Sequence, residues 1–395
     1  MHHKKNLNRA GSFAALCAIF FLVLAAGCAK KTVPAMDVSF LPCSGDFVSS
    51  SGDRLSPDQV VALAEKADYL LIGEGHKMSC DHKIQAEMVD RLSRNGRRIS
   101  IGLEMVDTTF QDTLNRYNLG QIPLDKIAAA LKWDKNWGYD FSLFEPVFRL
   151  AEERHLTLGA LNFPFSLVRK IREKGLDGLS PEERAMLPEK VQMSSKEQQQ
   201  ALLGIIAMHE NRDADNLEQV HQFILIQSLW DTAMAEKAVE LRRQAGTPVI
   251  ILAGDGHVEN GWGISKRIKT FDPQARIMLL VPWRGDKFYS KAGDAFFYCP
   301  PAYKSRLGMK VEMRFGKAVV TKVDRGSRAD LAGMRPGDVI CEVQSVPMVS
   351  MRSMHLGGMK AHKENKPLVF KVERGDDTFD INVGKLGHPG SSADK

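Results

Sequence analysis

Two tetrads of the form Gly-x-x-His, Gly73-Glu74-Gly75-His76 and Gly254-Asp255-Gly256-His257, carry the side chains of this sequence best suited to chemistry. Each follows a short apolar run, and glycine at such an exit allows a tight turn of positive φ and a close approach of ligand to backbone. Glu104 ends a third apolar run. Glu74, His76, Glu104 and His257 together form the donor set of an open divalent site of zinc, manganese or iron type, where a bound water is activated for hydrolysis with Glu74, His76 and His257 as the catalytic groups. The alternative is that the glycines are only turn residues and each histidine is a hydrogen-bonded rim group. Nucleophilic serine chemistry lacks a Gly-x-Ser-x-Gly elbow, and no phosphate-binding Walker pattern is present.

These residues converge only if the chain builds the right scaffold. Residues 69–72, 99–103, 156–161 and 249–253 read as buried strands, while residues 81–92, 142–154 and 216–243 read as helices. Ser56-Pro57-Asp58 offers an N-cap followed by proline at the first helical position, opening a helix through residue 67. Alternating strands and helices predict an α/β domain with a mainly parallel sheet covered by helices. In such sheets ligands sit at the carboxyl ends of the strands, which would bring Glu74, His76, Glu104, Asn162 and His257 to one edge.

Further polar groups belong behind that edge. Val220, Phe223, Ile224, Gln227, Trp230, Asp231, Met234 and Ala238 fall on one stripe at helical spacing, so Gln227 and Asp231 are polar groups on an apolar face. A buried carboxylate needs a partner, either a site histidine that it orients or a structural Arg or Lys. His82 can reach back from the first turn of its helix, though a histidine beside Asp81 is also commonly solvated. With Asn162, Gln227 and Asp231 it makes up the supporting set. His155, His209 and His221 lie in charged contexts and are read as solvated; Trp133, Trp137, Tyr139, Phe141 and Phe144 are read first as core, with the wall of a large flat ligand as the alternative.

The chain has 395 residues, 44% apolar and 26% charged, which points to more than one folded domain and excludes wholesale disorder. Lys4, Lys5 and Arg9 precede an apolar run over residues 13–26, the pattern of a secretory signal. Without these three cations the formal charge of +6 falls to +3, which gives no nucleic-acid footprint. Leu24-Ala25-Ala26-Gly27-Cys28 resembles a bacterial lipobox, which implies cleavage before Cys28, acylation of its thiol and anchoring in the lipid bilayer. Ala29 leans the placement towards the outer membrane, with the protein on the periplasmic side of the cell envelope. Cys43, Cys80, Cys299 and Cys341 then face an oxidising compartment that permits disulfides, with three pairings open if all four are bridged. Cys80 stands apart, four residues after His76.

The segment 69–90, YLLIGEGHKMSCDHKIQAEMVD, resembles the opening motif of the ChaN-like lipoproteins of the haem-binding uptake and Tiki-like superfamily. Glu104-Met105, residues 160–164, QSLWDTAMA (227–235) and GDGHVENGWG (254–263) are similar to later family motifs in the same order. The resemblance spans roughly residues 50–285 and implies two Gly-x-x-His motifs facing one pocket, with Glu74, His76, Glu104 and His257 as site positions. It implies either haem, bound for iron uptake, or a divalent metal (Mn, Zn or Fe) in peptidase or esterase chemistry. Relatives often carry tyrosine where Phe144-Glu145-Pro146 stands, so iron ligation here falls to Tyr139 or a site histidine.

From about residue 304 the sequence turns to short alternating strands. Arg306-Leu307-Gly308-Met309, followed by SRADLAGMRPGDVI (327–340), closely resembles a PDZ domain of the bacterial protease-associated type, a small β-sandwich-like module. The resemblance assigns Arg306, Leu307, Gly308 and Met309 to the loop that captures a peptide C-terminus while the peptide adds a strand to the sheet edge. A groove occupied by the chain itself, and a scaffold with a vestigial α/β pocket, are the alternatives. The expected organisation is a leader (1–27), a tether (28–43), the α/β domain (44–300), the PDZ domain (305–386) and a flexible tail (387–395). A homodimer is left open.

Overall fold

The structure, a computed structural model, describes residues 38–208, 217–285 and 289–386 apart from residue 41. The leader, Cys28, His209 and the tail lie outside the described residues. No helix among the described residues is long and apolar enough to cross a membrane.

Eight strands form the first sheet: β1 (Phe47–Ser49), β2 (Arg54–Leu55), β3 (Tyr69–Glu74), β4 (Ser100–Asp107), β5 (Thr157–Asn162), β6 (Val249–Gly254), β7 (Ile277–Trp283) and β8 (Ala295–Tyr298). Their order is β2-β1-β8-β7-β3-β6-β4-β5, parallel from β8 to β5, with β1 and β2 antiparallel at one end. Side-chain alternation splits the core. Leu70, Ile72, Ile250 and Leu252 face one layer, packed with α2 (Ser79–Leu92) and α3 (Glu145–Arg154), whereas Tyr69, Leu71, Ile251 and Ala253 face α4 (Leu217–Ala245) and α5 (Ile264–Phe271).

The helix boundaries have local causes. Ser56 opens α1 (Pro57–Ala64) through a reciprocal capping box with Gln59. This helix stops short of residue 67 because Asp68 enters the sheet ladder, its carbonyl accepting from Val249 N at 3.0 Å. The expected helix over 142–154 begins only at Glu145, since Pro146 lacks the N–H that would continue it backwards, and residues 141–143 form a 3₁₀ turn instead.

A second, antiparallel sheet follows: β9 (Ala302–Ser305), β10 (Met309–Arg314), β11 (Lys317–Val323), β12 (Val339–Val343), β13 (Val346–Pro347), β14 (Pro367–Arg374) and β15 (Asp377–Lys385), covered by α6 (Met351–Lys363). It has its own core of Met309, Val311, Val320, Ile340, Phe370 and Val372 among others. Phe315, in the turn after β10, stacks on Tyr298 of the first sheet, and Tyr298 Oη donates to Met313 O at 3.3 Å. Of the cysteine pairings left open by the sequence, Cys80 pairs with Cys299, while Cys43 and Cys341 are free thiols.

Candidate functional site

Strand order places the site. β6 lies between β3 and β4, and its last residue, Gly254, is in register with Glu74 of β3. From the other side Glu104 of β4 reaches across, its Oε2 accepting Gly254 N at 2.6 Å. The two carboxylates thus flank one strand end. His76 lies two residues beyond Glu74, and His257 sits on a single helical turn, Asp255–Val258, that follows Gly254. Asn162 holds the same edge from β5, its Nδ2 donating to Glu104 O at 3.2 Å, so it supports the backbone of Glu104 rather than a reacting group.

The glycines act by compactness, contrary to the expected positive φ. None of Gly73, Gly75, Gly254 and Gly256 lies in the left-handed region. A Cβ on Gly73 would lie 3.2 Å from Asp255 Cα, one on Gly75 would lie 3.2 Å from Arg284 Nη2, and one on Gly254 would lie 2.8 Å from His76 Cε1. Close approach of neighbouring groups is the requirement at three of these positions.

Glu74 is buried at 1% exposure and serves two histidines. Its Oε1 accepts from His76 Nδ1 at 3.0 Å, and its Oε2 faces His82 Nδ1 at 3.2 Å as an ion-pair contact outside hydrogen-bond alignment. Burial raises its pKa, but the hydrogen bond to His76 and the ion-pair contact with His82 outweigh burial and hold the carboxyl at about 2. His82 is therefore buried rather than solvated, and packs on Phe144. Its Nδ1 faces Gln85 Oε1 and Glu74 Oε2, and its Nε2 faces His76 O. All three partners are placed as acceptors, a setting that favours the protonated ring over the neutral one. Burial opposes that charge, and Glu74 overcomes burial to raise the pKa.

His257 forms the second half. Its Nδ1 donates to Asp231 Oδ1 at 2.6 Å, and its Nε2 lies 3.6 Å from Glu104 Oε1. Burial lowers its pKa, but Glu104 and Asp231 overturn that and bring it to about 9, so this ring is cationic at neutral pH. Gln227 places its amide 3.0 Å from the same Nδ1. Asp231, at 0% exposure, meets both partners that the sequence offered as alternatives: His257 on one oxygen, and Arg267 at 3.3 Å with Gln198 Nε2 at 2.8 Å on the other.

The two histidines meet around Glu104, whose charge raises the pKa of each. His76 is the more accessible, with 30% of its side chain exposed. Trp137 and Tyr139 flank it at ring distances of 4.8 and 5.1 Å, while Trp133 and Phe144 are core. The aromatic cluster is thus divided between core and site wall. With Nδ1 on Glu74, no described residue takes His76 Nε2. His155 and His221 are exposed, as expected.

Sequence reasoning missed three groups. Asp81 accepts Gly75 N at 2.7 Å and a two-pronged contact from Arg284 at 2.7 and 2.6 Å, which pins the first tetrad to the end of β7. Arg267, at 1% exposure, supports Asp231 from α5. Its signal was present, an arginine between Ile264 and Ile268 on an apolar helix face. Cavity size does not mark the site either: cavities of about 420, 470 and 560 Å³ among the described residues are lined by Arg94 and Thr247, by Gln111 and Leu241, and by Glu87 and Arg149, away from the two tetrads.

In the PDZ segment, Arg306 is exposed, while Leu307 and Met309 are buried. The loop carbonyls are fixed to the domain body, Leu307 O accepting Ala329 N at 2.9 Å and Gly308 O accepting Asp324 N at 2.7 Å.

Comparison with known proteins agrees with this architecture. The model of the family described as haem-binding uptake, Tiki superfamily, ChaN matches residues 60–268, and that of the PDZ domain matches residues 305–384. The solved structure titled as cofacial heme binding to ChaN of Campylobacter jejuni superposes with a TM-score of 0.53 at 21% identity, covering 66% of this chain and 98% of that one. The HtrA3 PDZ domain bound to a phage-derived ligand is 26% identical over 18% of this chain and 62% of that one, with a TM-score of 0.15. No curated protein matches the chain. By its sequence motifs, its strand-end site and its match over residues 60–268, the chain belongs to the ChaN family of the Tiki superfamily, and it carries a C-terminal PDZ domain.

Proposed function

We propose that the α/β site binds haem, or a related iron ligand, in a lipid-anchored cell-envelope protein that serves iron uptake. The carrying observation is His76. Its Nδ1 is held by the Glu74 carboxylate, its Nε2 is unclaimed, and two flat rings, Trp137 and Tyr139, stand beside it. A carboxylate-backed imidazole is an oriented nitrogen donor that would hold iron, and flat aromatic rings would pack against a macrocycle. Trp137 Nε1 is buried without a partner, a donor available to a bound group. Phe144 sits where relatives often have tyrosine, but it is buried in the core and has no ligating atom. His76 and Tyr139 are then the iron-facing candidates. The bound group would supply the iron itself, and these residues hold and orient it.

The family's haem-binding character and the heme named for the Campylobacter jejuni protein support this reading. The lipobox-like end of the leader supports the anchor through Cys28, Ala29 after it supports the outer-membrane placement, and the Cys80–Cys299 disulfide suits a periplasmic setting. Divalent-metal hydrolysis has less support. Each of the two histidines has its Nδ1 on a carboxylate, His76 on Glu74 and His257 on Asp231, and Glu104 accepts from Gly254 N, which leaves only the two Nε2 atoms and part of the carboxylates for a metal. Among the described residues, the group of three or more donors that comes together is Cys80, Asp81 and Cys299, and its sulfurs are joined to each other.

The test is to titrate the mature chain with hemin while following the Soret band and assaying bound metal. A saturable shift lost in His76→Ala, or in Tyr139→Phe, supports haem ligation by that residue. Stoichiometric manganese or zinc without a hemin response would favour the hydrolase.

A further inference from the structure

The PDZ sheet edge that should receive a peptide is already filled. β10 follows the Arg306–Met309 loop and pairs on one side with β11. On its other side it pairs antiparallel with β9, with Ser305 opposite Met309, Lys304 opposite Lys310, Tyr303 opposite Val311 and Ala302 opposite Glu312. β9 is the end strand of the seven-stranded sheet. A peptide C-terminus captured at this loop would run antiparallel to β10 along the same edge, with its last residue nearest Met309. β9 has that direction and that register. It continues into β10 through Arg306, Leu307 and Gly308, and Gly308 adopts φ +83°, the left-handed position that closes a three-residue hairpin. The loop expected to hold a carboxylate thus serves as the turn of a hairpin.

We propose that β9 is the intramolecular occupant of the PDZ peptide edge, and that a peptide C-terminus binds only by exchanging with it. The exchanging segment is short and bounded. Upstream, Cys299 is buried, tied to Cys80, and bonded to Trp283 O through its N–H and to Arg284 through its carbonyl. Downstream, Leu307 O and Gly308 O are fixed to the PDZ body. Only residues 300–306 are left to swing away. The ladder that must break has four residue pairs. Apparent affinity for peptide equals the intrinsic affinity scaled by the fraction of molecules with β9 released. Loosening β9 therefore tightens peptide binding, and locking it abolishes binding. The proposal is independent of what the α/β site takes.

The test uses the full mature chain in three forms: the native sequence, Tyr303→Pro, which weakens the β9 ladder, and Lys304→Cys/Lys310→Cys, which bridges a directly opposed pair. A displayed library of random C-terminal peptides is selected on Tyr303→Pro, and the tightest peptide is labelled and titrated into all three by fluorescence anisotropy. The expected result is about tenfold or more tighter binding to Tyr303→Pro than to the native chain, and no binding to the bridged form until reductant is added. The native chain with reductant controls for loss of Cys80–Cys299. Hydrogen exchange at Val311 and Glu312 confirms that Tyr303→Pro remains folded with an open edge. Equal affinity in the three forms overturns the proposal. So does failure to select any peptide on folded Tyr303→Pro, because β9 would then be a permanent strand and not an exchangeable one.

Discussion

Replacing Asp231 by Asn removes the carboxylate that His257 Nδ1 contacts at 2.6 Å while keeping the side-chain shape. In the native protein the pKa of His257 stands at about 9, against an ordinary 6.5. A folded-state value above the unfolded one means that the protonated ring stabilises the fold. This stabilisation is complete below pH 6.5 and is lost as the pH rises through 9. At 1.36 kcal/mol for each pKa unit, it amounts to about 3 kcal/mol. Asp231→Asn should remove much of it and also leave Arg267, at 1% exposure, without its carboxylate. Breaking such a buried pair costs about 3–5 kcal/mol. All five tryptophans lie between Trp133 and Trp283, so urea unfolding followed by their fluorescence reports the α/β domain without the PDZ domain. The native protein should lose stability between pH 6.5 and 9.5, with a much flatter profile in the variant. Parallel profiles, or a His257 ring proton titrating near 6.5 by NMR in the native protein, would refute the placement of charge at this site.

Three further outcomes follow from neighbouring contacts. Glu74, held at about 2 against an ordinary 4.5, stabilises the fold above pH 4.5 and loses that contribution as the pH falls towards 2, so an acid limb of about 3 kcal/mol should appear in urea melts and vanish in Glu74→Gln. Gly254→Ala would place a Cβ 2.8 Å from His76 Cε1, at the movable end of a side chain, so hemin affinity should fall roughly tenfold while stability changes by less than about 1 kcal/mol. Gly263→Ala would instead place a Cβ 2.3 Å from the carbonyl oxygen of His257, which cannot move without the backbone, and thermal unfolding should show a loss of about 2–3 kcal/mol or more.

The parallel sheet and the edge carrying Glu74, Glu104 and His257 were legible because buried strands leave unbroken apolar runs, and each run here stops at a polar residue. The stripe on α4 likewise exposed Gln227 and Asp231, since a polar residue breaks an apolar period wherever it falls. Less legible was the reason for the glycines. Close approach between Gly254 and His76 involves residues 178 positions apart, and no local pattern records it. The burial of His82 was hidden for a related cause: its ring is held by three groups drawn from β3, α2 and the turn between them. The hairpin of β9 and β10 escaped because a short segment between two domains has no periodicity of its own, and its state is set by which edge it finds.

The covalent link between Cys80 and Cys299 joins positions 219 residues apart and closes a ring of chain that contains His82, Glu104, Asn162, Gln227, Asp231 and His257. A single proteolytic cut anywhere between residues 81 and 298 would therefore not separate the amino-terminal portion from the PDZ module. Damaged molecules would stay in one piece until a reductant reached them, and would run as two bands only on a reducing gel.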